Sequence, residues 1–268
     1  MKDYSFFLEG TNGKGILLIH GLTGIPGEMR PVGKLLNRKG FTVYAPLLAG
    51  HGDTEKTLLK TRWQDWYESV KKAFFELKGK TDQAFTAGIC AGGALGLYLA
   101  AEYPKDVSAT AIYSHTFRYD GWNMPKFYVT APLIPIAAYV PLLRNLKFKE
   151  KHPFGIKDDR IRNAIIGKSG GKDFMEGVLD YFPLRALDQM YRLGGVINKI
   201  APKVTIPTLL IHAKNDDLSH PRNSRYLARK LGKNCHLKLL EDSYHMIHID
   251  KERSKVAEMT ADFFDSAI

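Results

Sequence analysis

The stretch Ala84-Phe85-Thr86-Ala87-Gly88-Ile89-Cys90-Ala91-Gly92-Gly93-Ala94-Leu95-Gly96-Leu97 constrains this chain more than any other. It reads as a short apolar strand, a tight turn between glycines, and a helix that begins with small residues. Such a turn strains the backbone of its apical residue and brings the helix close to the strand. The positions two before and two after the apex must therefore be small. Gly88 and Gly92 meet that requirement around Cys90. The pattern is G-x-C-x-G, a nucleophile elbow with sulfur where oxygen is usual. The competing reading is that Cys90 is a small buried hydrophobe, as free cysteines often are.

Three further motifs fall in the order that an elbow of this kind demands. Ile16-Leu17-Leu18-Ile19 is an apolar strand, followed by His20-Gly21-Leu22-Thr23-Gly24 and a helix from about Glu28 to Lys39. The segment resembles an H-G-x oxyanion loop, in which the backbone N–H groups of Leu22 and Ala91 face the developing negative charge. His20, closing a strand before glycine, reads as structural rather than as a catalytic base. Farther on, the strand Thr208-Leu209-Leu210-Ile211-His212 leads into Ala213-Lys214-Asn215-Asp216-Asp217, where Asp216 matches the acid position of a strand-A-x-x-D pattern. Adjacent aspartates also suit a solvated loop or a cap for the helix after Pro221. His236 to Leu240 reads as a last strand, and His245 precedes a closing helix from about Glu252 to Phe264. Cys90, Asp216, His245 is the chain order of an α/β-hydrolase triad. Asp120 is a weaker candidate for the acid, and His248 reads as packing on the closing helix.

A chain of 268 residues can bury one sizeable core. Helices from about Arg62 to Lys78 and Ala94 to Glu102 alternate with strands from about Phe41 to Ala45 and Val107 to Tyr113. That alternation predicts an α/β fold with a mostly parallel sheet flanked by helices. The N-terminal residues lack a signal-peptide core and read as a first strand that turns at Thr11-Asn12-Gly13 into the second. Cys90 and Cys235 are the two cysteines, and a bridge between them would consume the candidate nucleophile. Free thiols in a reducing, cytoplasmic setting are expected.

Residues 116–201 interrupt the pattern and are expected to form a cap inserted into a core of residues 1–115 and 202–268. The run from Phe127 to Leu143 is strongly apolar but too short and too proline-broken to span a bilayer. It fits a hydrophobic lid for an acyl chain, a surface that dips into a membrane interface, or plain cap packing. His115, Trp122, Phe127 and Tyr128 are the candidate pocket residues, each with simple packing as its alternative. The net charge is +11, and Arg118 to Lys199 holds 14 Lys and Arg against 8 Asp and Glu, so about half the excess lies in the cap. Such a surface attracts anionic partners: coenzyme A phosphates, acyl-carrier protein or acidic headgroups of a membrane at its periphery. It serves solubility equally well. No helix-turn-helix, RNP or zinc pattern accompanies the charge, which argues against nucleic acid.

The chain resembles the monoglyceride-lipase and carboxylesterase branch of the α/β-hydrolases, the serine aminopeptidase-like group. The resemblance rests on the His20-Gly21 loop, Pro46-Leu47-Leu48-Ala49-Gly50-His51-Gly52, Thr61-Arg62-Trp63-Gln64-Asp65-Trp66, the elbow, and the Asp216 and His245 positions. It implies cleavage of a carboxylic ester without metal or organic cofactor. Cys90 departs from that branch, which has serine there, and resembles the cysteines of polyhydroxyalkanoate synthases and dienelactone hydrolases. A laboratory change of serine to cysteine would produce the same string.

A thiol with a reference pKa of about 8.5 becomes a good nucleophile beside an imidazolium. A thiolate also leaves more readily than an alkoxide, so a tetrahedral intermediate with a simple alkyl ester tends to collapse back to substrate. With a thioester, the attacking and leaving sulfurs are balanced. The expectation is an acyl hydrolase of carboxylesterase or thioesterase type, acting on a lipid-like acyl group through an acyl-Cys90 intermediate. The alternative is an acyltransferase that passes the acyl group from a coenzyme A or carrier-protein thioester to an alcohol, amine or acyl acceptor. Loss of catalysis in a binding protein is the third possibility, disfavoured by the complete triad and oxyanion loop.

Overall fold

The computed structural model describes residues 4–124, 134–166 and 177–267. Its centre is a seven-stranded sheet in the order β1 (Phe6–Leu8), β3 (Thr42–Ala45), β2 (Lys14–Ile19), β4 (Gln83–Ile89), β5 (Thr110–Tyr113), β8 (Thr208–Ala213), β9 (Cys235–Leu240). All neighbours are parallel except β1, which runs antiparallel to β3. The central strands are buried nearly end to end, as expected of parallel strands covered on both faces. This is the α/β-hydrolase fold that the motif order predicts.

One expectation is corrected. The Thr11-Asn12-Gly13 turn is present, with Gly13 at φ 73°, but β1 pairs with β3 and not with β2. The amides of Thr11 and Asn12 donate to the Gly40 carbonyl, 2.7 and 3.1 Å away, which ties the turn to the entry of β3 and carries the chain across it.

Helix α1 (Pro26–Arg38) packs on the closing helix α9 (Arg253–Ser266), while α3 (Trp63–Lys78) and α4 (Ala91–Glu102) pack on each other. Helix α4 is apolar around almost its whole circumference and correspondingly central. A short helix, α2 (Glu55–Leu58), precedes α3. Between β5 and β8 lie α5 (Ile134–Ala137), a two-stranded antiparallel sheet of β6 (Lys147–Lys149) and β7 (Tyr181–Pro183), α6 (Asp159–Ile166) and α7 (Leu184–Ile200). Helix α7 packs on α4 and α3 and adds Leu187, Leu193 and Ile197 to the main core. Within residues 116–201 the segments that reach over Cys90 are therefore those before α7. Helix α8 (Arg222–Leu231) follows β8.

Parallel strands present all their C-terminal ends on one edge of the sheet, where connecting loops converge. Cys90 follows β4, Asp216 follows β8 and His245 follows β9 on that edge.

Candidate active site

Cys90 sits between β4 and α4 at φ 51°, ψ −111°, a backbone that costs a non-glycine residue free energy and is retained only where the surroundings enforce it. The enforcement is steric and local. A Cβ on Gly88 would lie 2.6 Å from the Gly92 carbonyl carbon, and one on Gly92 would lie 2.3 Å from the Ile19 carbonyl oxygen. The Cys90 amide donates to Tyr113 O at 2.9 Å, which locks the turn to β5. The side chain is 5% exposed, and its sulfur lies 3.9 Å from the Tyr119 hydroxyl.

His245 is held from several directions. Its Nδ1 donates to Asp216 Oδ2 at 2.8 Å, its carbonyl accepts from Ser114 Oγ at 2.7 Å, and its amide donates to Asp217 Oδ1 at 3.3 Å. Asp216 is in turn fixed by the amides of Leu218 and Ser219 on Oδ1, at 2.9 and 2.7 Å. His212 adds a third donor, because its Nε2 faces two acceptors, Ser219 O at 2.8 Å and Asp216 Oδ2 at 3.1 Å, and so carries the proton. Ser224 Oγ, 2.7 Å away, then donates to His212 Nδ1.

The electrostatics follow. Burial opposes charge on His245, yet the Asp216 carboxylate, and then Cys90, outweigh it and hold its pKa well above the ordinary histidine value. Burial likewise opposes charge on Asp216, and the attraction of His245 with the His212 hydrogen bond reverses it, so this carboxyl lies below the usual range. Cys90 and His245 line one cavity of about 80 Å³.

Leu22 lines the same cavity, and Ala91 is the first residue of α4, so its N–H has no acceptor within the helix. The loop that carries Leu22 is braced by the motifs on which the resemblance rests. His51 Nε2 donates to Leu22 O at 2.7 Å, and His20 Nε2 accepts from the Leu48 amide at 3.2 Å. The rings stack edgewise as His20, His51 and Trp66, with centroids 5.0 and 5.4 Å apart. Burial, and for His20 then the neighbouring His51, lowers both imidazoles, which fits neutral struts and the structural reading of His20.

Three cavity features went unread in the sequence. Glu28 accepts from the Gly21 amide at 2.7 Å and presses on Gly24, where a Cβ would lie 2.1 Å from Glu28 Oε2. Burial pushes its carboxyl up to about 7, and Glu150, entering the cavity just after β6, is raised by burial to about 7 as well. Tyr119 is the third, a residue of the loop after β5 that closes over the sulfur. Only Glu28 left a signal, an acid directly after the His20 to Pro26 loop.

Two pocket expectations are corrected. His115 is fully buried under Phe117, with ring centroids 4.2 Å apart, and Trp122 is 58% exposed, its Nε1 donating to Asn215 O at 3.0 Å. Neither lines the Cys90 cavity, because each is held by neighbours outside it. Phe127 and Tyr128 lie outside the described residues. Asp120 binds Arg222 Nε at 2.5 Å and the His220 amide at 2.9 Å, away from His245. Asp217, one residue past the acid, joins the His245 backbone to the Gly155 amide, 3.0 Å away, and is a brace rather than a solvated loop residue. His248 is buried and neutral, its pKa lowered to about 3 by burial and then by the charge of His245.

Residues 11–252 match the family described as serine aminopeptidase, S33. The chain is 26% identical over 251 residues to a thermostable monoacylglycerol lipase of Bacillus sp. (strain H-257), covering 93% of this chain and 90% of that one. It is 24% identical over 256 residues to a carboxylesterase of Bacillus subtilis (strain 168), covering 94% and 92%. The solved monoacylglycerol lipase of Paleococcus ferrophilus superposes with a TM-score of 0.81 at 19% identity over 100% of both chains, a likeness of fold. The chain belongs to the serine aminopeptidase S33 family of α/β-hydrolases.

Proposed function

We propose that this protein is an acyl hydrolase of carboxylesterase or thioesterase type, working through a covalent acyl-Cys90 intermediate. The observation that carries the proposal is a strained cysteine sharing one small cavity with a histidine that a buried carboxylate holds at 2.8 Å. In the first step the thiol proton passes to His245 and sulfur bonds to the acyl carbon. The carbonyl electron pair moves to oxygen, which the N–H groups of Leu22 and Ala91 receive. Collapse breaks the bond to the leaving group, which takes its proton from His245 and leaves that imidazole neutral. Water, deprotonated by His245, then releases the acid and restores the thiol.

The cavity supports an acyl ester with a polar end. Ile89, Phe154, Val178, Phe182 and Leu218 give it an apolar wall, and Glu28 and Glu150 set two carboxyl groups into it. Relatives named as a monoacylglycerol lipase and a carboxylesterase fit that division. Exposed Leu142, Ile136 and Tyr139 form an apolar outer surface on the same insertion, suited to lipid-like substrates presented at an interface.

Thioesters are the substrates that a sulfur nucleophile favours, for the reason of leaving-group balance given above. The test compares a matched oxygen ester and thioester on the protein and on Cys90→Ser. A thioester preference of about tenfold or more that collapses in the serine variant supports the proposal. A protein inert to both, with strong ester turnover by Cys90→Ser, contradicts it. Transfer to an added alcohol in competition with hydrolysis distinguishes a transferase.

A further inference from the structure

A second cavity of about 470 Å³ lies on the other side of the loop that covers Cys90. Tyr119 faces the nucleophile, while Phe117, Arg118 and Asp120 line the larger cleft, whose remaining walls come from α7 and α8. Its volume is that of a small-molecule site rather than a surface dent.

Three features distinguish it from a packing defect. The first is charge: Arg118, Arg222 and Arg229 line it against the single carboxylate of Asp120. Arg222 is paired with that carboxylate at 2.5 Å, whereas neither Arg118 nor Arg229 has a carboxylate partner among the described residues. The second is a glycine pair in the middle of α7. Glycine is the costliest residue after proline in a helix interior, and neither Gly194 nor Gly195 is required by packing. A Cβ on Gly195 would meet nothing within 4 Å, and one on Gly194 would make ordinary contact with Phe117 at 3.4 Å. What the pair does provide is close approach: Gly194 is buried against Phe117, and Gly195 leaves its backbone bare on the cleft. The third is preorganisation. Buried Asn223 accepts from the amides of Phe117 and Arg118 at 3.2 and 3.0 Å and donates to Asp120 Oδ1 at 2.9 Å, joining the loop to α8. Asn198 accepts from the Tyr226 hydroxyl at 2.8 Å, joining α8 to α7.

We propose that this cleft binds a phosphorylated aromatic small molecule of the nucleoside-phosphate kind, its ring on the bare Gly195 backbone beside Phe117 and Tyr226 and its phosphate on Arg118 and Arg229. Two guanidinium groups without a carboxylate match a phosphate dianion in charge and in their planar donor geometry. The aromatic walls and the bare Gly195 backbone match a ring. This site is separate from the Cys90 cavity, and the inference stands whatever the nucleophile or substrate proves to be.

The test is calorimetric titration of the full chain at low salt with ADP, adenosine and inorganic phosphate, alongside Arg118→Gln, Arg229→Gln and Gly195→Leu. ADP binds, and adenosine and phosphate each bind at least about tenfold more weakly. Each arginine variant weakens ADP binding by about tenfold or more, and Gly195→Leu abolishes it while the melting temperature holds or rises. All three keep the ester turnover of the parent. Displacement of ADP by coenzyme A identifies the ligand as a thioester carrier, and its failure to displace identifies a free nucleotide. No binding of ADP, equal binding of phosphate, or ADP affinity unchanged in all three variants overturns the proposal.

Discussion

The wall of the Cys90 cavity that carries Leu22 and the wall that carries His245 both rest on buried histidines, yet the two are tuned in opposite directions. His20 and His51 hydrogen-bond to backbone groups, and burial keeps them neutral. His245 is as deeply buried, and Asp216 at 2.8 Å makes it more basic than a histidine in water. Residue type and burial are shared; the carboxylate differs. A buried imidazole among carbonyls is a strut that fixes a loop, and the same ring against a carboxylate is a store for a proton.

Asp216→Asn breaks the charged wall and has the largest expected effect. kcat for an activated ester falls by on the order of 10⁴-fold, because the imidazolium is no longer stabilised or held in register. The pH dependence changes with it. His245 is raised in the folded state, so its contribution to stability is complete below the ordinary histidine pKa and is lost as pH rises through the folded value. Asp216 is depressed, so its contribution is present above the ordinary carboxylate pKa and is lost as pH falls through its folded value. The variant loses both limbs in a titration of unfolding free energy. An unchanged profile would show that the pair does not set the charge of His245.

His51→Phe breaks the neutral wall. It leaves Leu22 O without its donor, at a cost of about 1–3 kcal/mol in urea unfolding. A loop displaced by a fraction of an ångström lowers kcat by about 10- to 100-fold with little change in KM. Loss of stability with kcat intact would reduce the histidine stack to a packing role.

Glu28→Gln sharpens the contrast through pH dependence alone, with the smallest effect on turnover. The glutamine oxygen still accepts the Gly21 N–H, but the titration disappears. Glu28 is raised from 4.5 to about 7, so the folded state binds its proton more tightly and stability declines as pH rises from 4.5 through 7. That decline amounts to about 3 kcal/mol for a shift of this size and is absent from the variant. Parallel stability curves for the two proteins between pH 4 and 8 would mean that the carboxyl is not desolvated.

The sequence carried the scaffold and the candidate residues Cys90, Asp216 and His245 because each follows a strand of the sheet at its C-terminal end, where motif order and strand position coincide. The pairing of β1 was not legible, since a three-residue strand has no local signal that favours β3 over β2. Nor was the lining of the pocket. His115 and Trp122 stand near the start of the insertion in sequence, but periodicity does not tell which way a loop turns. Glu28 passed unnoticed because an acid in the first turn of a helix already has an ordinary reason to be there, in the helix dipole.

The most direct measurement is intact-protein mass spectrometry after brief exposure to acyl-coenzyme A thioesters and p-nitrophenyl esters. The account predicts one added acyl group on the parent chain, absent in Cys90→Ala and decaying in water. An adduct that survives in Cys90→Ala, or turnover that needs no Cys90, would contradict it.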